Sequence, residues 1–131
     1  MTHKRILCLD FDGVIHSYES GWQGAGIIPD GPVPNAIEFV VNAVEWFNVC
    51  IYSTRSSQDG GIQAMQHWLL EQVQATYAGW TLKDLIRFVY ADIKWPTYKP
   101  SAFVTIDDRA LTFTGTFPTP QELDAFKPWN K

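Results

Sequence analysis

The sequence has few cysteines, no long apolar run and no block of positive charge. Cys8 and Cys50 both lie inside short apolar stretches, which is typical of buried free thiols in a reducing compartment. The apolar stretch before Asp10 is too short for a secretory signal peptide. No stretch approaches the roughly 20 apolar residues of a membrane span. We therefore expect a soluble cytoplasmic protein that does not enter membranes.

The charge balance argues against a protein that holds nucleic acid through its backbone. Ten Lys and Arg against fourteen Asp and Glu give a formal net charge of -4, so attraction for a polyanion is not favoured. Hydrophobic residues make up 46% and charged residues 18%, the composition of a folded globular chain. At this length we predict one domain, residues 1–131, with a single core.

Short apolar runs alternate with helix-like patterns along the chain. Three runs contain almost no polar residue, which is typical of strands covered on both faces: 5–9, 49–53 and 102–106. Two further strands are expected at 87–91 and 111–115. Helices are expected to start at Pro34, at a cap on Ser57 or Asp59, at Thr81 with its partner Asp84, and after Pro120.

This alternation predicts an α/β fold, a Rossmann-like three-layer sandwich with a mainly parallel sheet and helices on both faces. The Gly-rich stretch between Gly13 and Pro34 is expected to form a short β-hairpin flap, with strands around Val14–Ile15 and Ile27–Ile28. His16 is expected at the surface of this flap. Trp22 is expected to pack the flap, and its alternative role is to stack on a base of the substrate.

Polar residues follow three of the expected strands at the same end. The stretches that contain them are Asp10-Phe11-Asp12-Gly13 after the first strand, Ser53-Thr54-Arg55 after the second, and Asp107-Asp108-Arg109 after residue 106. Because ligands bind beyond the carboxyl ends of parallel strands, we expect these groups to converge on one site. Lys94 or Lys99 is expected to reach the same place.

Four carboxylates at one place repel each other unless a cation lies among them. Oxygen ligands without paired His or Cys favour Mg²⁺, and Mg²⁺ beside a lysine and a hydroxyl suits phosphoryl transfer. Asp10, at the end of its strand, is the predicted nucleophile, and Asp12 the predicted acid and base. Gly13 would let the backbone approach the phosphate closely.

The stretches "LDFDGV", "IYSTRS", "KPSAF" and "VTIDDRA" resemble, in this order, the four motifs of the haloacid dehalogenase superfamily of phosphatases. The resemblance spans roughly residues 5 to 110 and implies an aspartyl-phosphate intermediate on Asp10. The metal ligands that it implies are Asp10, Asp12 through its backbone carbonyl, Asp107, and Asp108 directly or through water. It implies Ser53 and Lys99 as catalytic partners, with Thr54 and Lys94 as the alternatives. Phosphate or substrate contacts are expected from Phe11, Gly13, Thr54 and Arg55, although Arg55 and Arg109 could equally pair with carboxylates.

Members of this superfamily usually carry a cap domain over the site, and neither insertion point has room for one here. We therefore expect a capless member, a Mg²⁺-dependent phosphomonoester hydrolase. Its open site would suit a large phosphorylated substrate or be covered by a partner subunit. The alternatives are a nucleic-acid end phosphatase, a phospho-accepting signalling domain and a catalytically silent binding protein of the same fold.

Overall fold

A four-stranded, all-parallel sheet organises the computed structural model, which describes residues 3–131. The strands are β1 (Ile6–Leu9), β2 (Asn48–Ile51), β3 (Ile93–Lys94) and β4 (Val104–Ile106). They lie in the order β3-β2-β1-β4, so the chain adds two strands on one side of β1 and then crosses to the other side. The predicted α/β class with a parallel sheet is confirmed.

Four α-helices accompany the sheet: α1 (Ala36–Trp46), α2 (Gly61–Thr76), α3 (Leu82–Arg87) and α4 (Pro120–Asp124). The start of α2 differs from the prediction, because its N-cap is Gly60 and not Ser57 or Asp59. Gly60 adopts the left-handed conformation, with φ of 76°, which a glycine takes at little steric cost. Within residues 3–131 no helix combines the length and apolar character needed to cross a membrane.

The strand predicted at 87–91 is wrong, because this stretch continues a helix. Thr81 and Asp84 form the predicted capping box, which starts α3. The chain then passes through a wider helical turn, Phe88–Asp92, before it reaches β3. Leu85, Phe88 and Val89 follow helical spacing and are buried, so helix formation buries the same apolar residues that suggested a strand.

The main core lies on one face of the sheet. Each step from β1 to β2 to β3 moves in the same direction, so right-handed crossovers place α1 and α2 on the same face, where they contact each other. A single hydrophobic cluster joins strand residues with helix residues: Leu7, Leu9, Val49 and Ile51 with Ile37, Val40, Met65 and Leu69. This cluster fixes the positions of the ends of β1 and β2.

The opposite face of the sheet has a thinner cover. Cys8 and Cys50 alternate with the core-facing strand residues, are buried and are free thiols, as predicted. Burial is the largest cause that raises the pKa of each thiol. The described chain forms no helix between β3 and β4, and α4 has no buried residue. Residues 3–131 therefore do not form the predicted second helical layer.

The last strand is only half covered, contrary to the prediction for 102–106. β4 is an edge strand, and Val104 and Ile106 are 43% and 39% exposed. The strand expected at 111–115 is a loop. The flap between Gly13 and Pro34 lacks the strands expected around Val14–Ile15 and Ile27–Ile28. Its antiparallel pairing is one bridge of His16 with Pro32, flanked by hydrogen bonds from the N–H groups of Ser17 and Val33 to the carbonyl oxygens of Gly31 and Ile15. Polar and glycine-rich loops replace these expected strands.

The contrast between β2 and β4 predicts different costs for the same substitution. Val49→Ala removes two methyl groups from a fully buried side chain and should lower the free energy of unfolding by about 2–3 kcal/mol. Val104→Ala, at the half-exposed edge, should cost less than about 1 kcal/mol. Urea unfolding of both variants measures the difference. Equal losses would contradict the burial pattern described for β4.

Candidate functional site

The candidate site lies where the strand order reverses. β1 has β2 on one side and β4 on the other, and such a switch point is where open parallel sheets bind ligands. The backbone N–H of Asp10 donates to the carbonyl oxygen of Ile106 at 3.0 Å. This hydrogen bond extends the pairing of β1 with β4 to the carboxyl ends of both strands. Asp10 and Asp107 therefore leave neighbouring strands side by side.

Three carboxylates meet at this point. One oxygen each from Asp10, Asp107 and Asp108 lies within 4.8 Å of the others. Two oxygens on one Mg²⁺ are at most about 4.2 Å apart, at metal–oxygen distances of about 2.1 Å. Small side-chain movements would therefore place all three on one ion. The sequence prediction that these residues converge agrees with the arrangement.

The electrostatics of this cluster fit a cation. Burial, a hydrogen bond with Asp108 and the charge of Asp107 together raise the pKa of Asp10 to about 8. The Oδ1 atom of Asp108 is buried and has no hydrogen-bond partner among the described residues. A hard divalent cation would satisfy this oxygen and offset the repulsion among the carboxylates.

Gly13 makes room for this cluster. Its φ of 85° lies in the left-handed region, and a Cβ atom at this position would overlap the carboxylate of Asp108. The sequence pointed to Gly13 for close approach to a phosphate. The structure adds a second reason, a close approach to a residue 95 positions away, which local sequence could not show.

Ser53 presents its hydroxyl group at the end of β2. Ser53 Oγ accepts a hydrogen bond from the backbone N–H of Arg55, and Ser56 Oγ accepts one from the N–H of Ser53. This capping box begins the short 3₁₀ turn Thr54–Ser57. Because Ser53 Oγ acts here as an acceptor, its own O–H stays available to a ligand. Thr54 also lines the site but is exposed.

Asp12 is held by two buried side chains. His16 Nδ1 lies 2.9 Å from Asp12 Oδ1, and Arg55 Nε donates to Asp12 Oδ2 at 3.0 Å. The Nε2 atom of His16 accepts from the backbone N–H of Asp30, so the proton of a neutral imidazole lies on Nδ1, facing Asp12. The predicted surface position of His16 is wrong, because its side chain is fully buried.

Arg55 supports the site from behind Asp12. Its side chain is fully buried, and Nη1 donates to the carbonyl oxygens of Gly24, Ala25 and Ile27. The sequence left open whether Arg55 contacts substrate or a carboxylate, and the structure shows the carboxylate contact. This one guanidinium group ties the turn after β2 to both Asp12 and the flap.

Three predicted site residues, Phe11, Lys94 and Lys99, are not among the residues that line the cleft beside this cluster. Lys94 Nζ donates to the carbonyl oxygen of Ala91 and lines a cavity that also contains Lys4, beside the start of β1. Lys99 is exposed, and its charge lowers the pKa of the Cys8 thiol, which burial and the charges of Asp10 and Asp107 raise. The ring of Phe11 packs in the core against Trp68, so only its backbone remains for a phosphate contact.

A cleft of about 300 Å³ surrounds these groups. Its lining residues are Asp10, Asp12, Tyr18, Trp22, Ser53, Thr54, Asp108 and Arg109. A cavity of about 530 Å³ lies elsewhere, lined by Lys94 and other residues, but the acidic cluster found among the described residues borders the smaller cleft. Sequence reasoning missed Tyr18, whose φ of 61° is unusual for a residue other than glycine.

Comparisons of the chain with protein-family models, with curated proteins and with solved structures found no match in any of the three. The haloacid dehalogenase assignment therefore remains a resemblance of motifs.

Two glycines with similar backbone angles test the contact between Gly13 and Asp108. Gly13→Ala should lower the melting temperature, because it adds the left-handed strain and also displaces Asp108. If the acidic cluster binds Mg²⁺, the same variant should gain less stability from added Mg²⁺ than wild type. Gly21→Ala is the control, since its φ is 74° but open space surrounds it. Thermal unfolding with and without Mg²⁺ measures both effects. If the two variants lose Mg²⁺ stabilisation equally, the contact does not shape the cluster.

Asp10→Asn should make the metal-free protein more stable at high pH. The pKa of Asp10 in the folded protein, about 8, lies above its usual value of 3.8, so the folded state favours the protonated carboxyl. Its contribution to stability is complete below pH 3.8 and is lost as pH rises through 8. Asparagine avoids this loss. In EDTA at pH 8.5 we expect the variant to melt on the order of 5 °C above wild type.

This difference in melting temperature should shrink toward pH 4, where the wild-type carboxyl also binds its proton. Thermal unfolding followed by circular dichroism across this pH range measures it. Wild-type protein that is at least as stable as the variant at pH 8.5 would contradict the repulsion described for this cluster.

Proposed function

We propose that this protein is a Mg²⁺-dependent phosphomonoester hydrolase that forms an aspartyl-phosphate on Asp10. The main support is the meeting of Asp10 with Asp107 and Asp108, whose oxygens lie within 4.8 Å although the residues are far apart in sequence. Like charges brought together in a partly buried place raise the energy of the fold. Such an arrangement is typical of sites where a cation and a substrate use the charges.

The fold supports the same proposal. The strand order β3-β2-β1-β4 is consistent with a Rossmann-like sheet, in which the reversal beside β1 is the ligand site. We therefore also propose membership of the haloacid dehalogenase superfamily, as a capless member that lacks a second helical layer within residues 3–131. The flap and the C-terminal segment approach the site, with Trp129 Nε1 donating to the carbonyl oxygen of Gly13 at 2.8 Å.

In this proposal the side chains of Asp10, Asp107 and Asp108 would hold Mg²⁺. The motif resemblance adds the backbone carbonyl of Asp12 as a ligand, which leaves the Asp12 side chain free for proton transfer. When bound, the ion neutralises charge on the phosphoryl oxygens and offsets the repulsion among the carboxylates. Ser53 donates its free O–H to a phosphoryl oxygen. Arg109 is the one cationic side chain among the described residues that line the cleft, and we assign it to the phosphate as well. Lys99 remains a predicted phosphate ligand that the cleft does not include.

The reaction has two balanced steps. An oxygen of ionised Asp10 attacks phosphorus, and the bond between phosphorus and the ester oxygen breaks. Asp12 enters this step in its protonated form and gives the proton to the leaving alkoxide. Asp12 then removes a proton from water as that water attacks phosphorus, which releases phosphate and restores Asp10. Asp12 borders the cleft. Its Oδ2 atom accepts one hydrogen bond among the described residues, from Arg55 Nε, so this oxygen can still bind a proton from water.

Hydrolysis of p-nitrophenyl phosphate tests this proposal. Wild-type protein should release phosphate with Mg²⁺ and stop in EDTA. Asp10→Asn should reduce kcat at least about 10³-fold, because an amide is a poor nucleophile. Asp12→Asn should reduce kcat about 10²- to 10⁴-fold and leave phosphate attached to Asp10, which intact-mass measurement detects.

Asp92→Asn is the matched control. Asp92 directly precedes β3, so it lies at the amino edge of the sheet, away from the site, and should keep the wild-type rate. Wild-type turnover by Asp10→Asn would exclude nucleophilic attack by this residue. A stable phosphorylated wild-type protein would instead indicate a phospho-accepting domain. Mg²⁺ binding without any phosphoryl chemistry would indicate a silent binding protein.

A further inference from the structure

The exposed tryptophan of the cleft has one covered face. The guanidinium carbon of Arg55 lies 4.8 Å from the centre of the Trp22 ring, so a buried cation packs under the indole. Trp22 is nevertheless 45% exposed, which is about what remains when one face of a ring is covered and the other is open. Because Trp22 also lines the cleft, an open aromatic face is available beside the acidic cluster.

The loop that carries Trp22 is fixed before any ligand arrives. Arg55 Nη1 donates to three carbonyl oxygens of this loop, those of Gly24, Ala25 and Ile27 at 2.9, 2.9 and 3.0 Å. Ser20 adds two hydrogen bonds to the carboxylate of Asp30, from its N–H at 2.8 Å and its hydroxyl at 2.6 Å. The loop is therefore already ordered in the free protein. A ligand that stacks on Trp22 binds without the entropy cost of ordering this loop.

Tyr18 gives a second, independent sign of a ligand surface. Its backbone is held at φ of 61°, a conformation that costs a non-glycine residue of order 1 kcal/mol or more and that clusters at binding sites. Its side chain lines the same cleft as Trp22. The cleft wall beyond the carboxylates thus combines two aromatic residues with the polar groups of Thr54 and Arg109.

We infer that the cleft takes nucleoside phosphates, with the phosphate at Asp10 and the base stacked on Trp22. This inference rests on the proposed function and names its substrate class. A cleft of about 300 Å³ has room for roughly ten water molecules, far more than a phosphate needs. The polar groups beside the aromatic wall suit sugar hydroxyls and base heteroatoms, which a plain aryl phosphate lacks.

The test compares adenosine 5′-monophosphate with ribose 5-phosphate, which has the same sugar and phosphate without the base. We expect wild-type kcat/KM to be about tenfold higher for the nucleotide, the effect of one stacked base. Trp22→Leu keeps an apolar cover over Arg55 but removes the aromatic face, and should reduce this ratio to about one. Trp22→Phe should restore much of it.

Trp46→Leu is the matched control, because Trp46 is 75% exposed at the end of α1 and lies outside the cleft lining. It should leave the ratio at the wild-type value. A wild-type ratio near one overturns the inference, and so does a ratio that Trp22→Leu leaves unchanged. Preference for phosphotyrosine over the nucleotide would also overturn it, in favour of an aryl phosphate. In each of these cases the proposed phosphatase activity stands.

The nucleoside phosphate could be a free nucleotide or the end of a nucleic acid. Measuring 3′- and 5′-phosphorylated dinucleotides in the same assay distinguishes these two substrates. Higher kcat/KM for a dinucleotide than for the mononucleotide would indicate that the natural substrate is a nucleic-acid end. Lower kcat/KM for the dinucleotide would indicate that the natural substrate is a free nucleotide. If no phosphoester is hydrolysed, the proposed function fails. The inference is then judged by calorimetric titration of wild-type protein with Mg²⁺. Tenfold tighter binding of the nucleotide than of ribose 5-phosphate supports it, and equal affinity overturns it.

Discussion

The contact between Arg55 and Asp12 connects three parts of the site. Removing a guanidinium and a carboxylate from water is costly, and the cost is offset only where hydrogen bonds satisfy both groups. Here Arg55 bonds to Asp12 and to three loop carbonyls, while His16 bonds to the other side of Asp12. The end of β1, the turn after β2 and the flap are held in one arrangement as a result.

Beside this satisfied pair lies a cluster that is not satisfied. Asp10, Asp107 and Asp108 repel each other, and an oxygen of Asp108 is buried without a partner among the described residues. The two arrangements have different consequences. The hydrogen bonds between Arg55 and Asp12 stabilise a geometry, whereas the repulsion within the acidic cluster reduces stability and would favour a bound cation. Proteins commonly accept such local instability where chemistry takes place.

Sequence patterns formed by residues of one helix predicted local structure well. Features that depend on contacts between distant parts of the chain were not predicted. The capping box at Thr81 and the spacing in α1 involve residues a few positions apart, so the sequence contains the whole interaction. Residues 87–91 could bury their apolar side chains as a strand or as a helix, and packing decided for the helix. The exposure of β4 depends on what lies beyond the sheet edge, which local sequence does not contain.

The sequence by itself determined that Asp10 and Asp107 would share one edge, because both follow apolar runs and parallel strands end together. It also determined that both cysteines would be buried free thiols. Only the tertiary structure decided that His16 and Arg55 are buried around Asp12 and that Trp22 packs on Arg55 while it stays partly exposed. The physical reason is that a polar side chain can be buried wherever partners exist, and those partners come from distant parts of the chain.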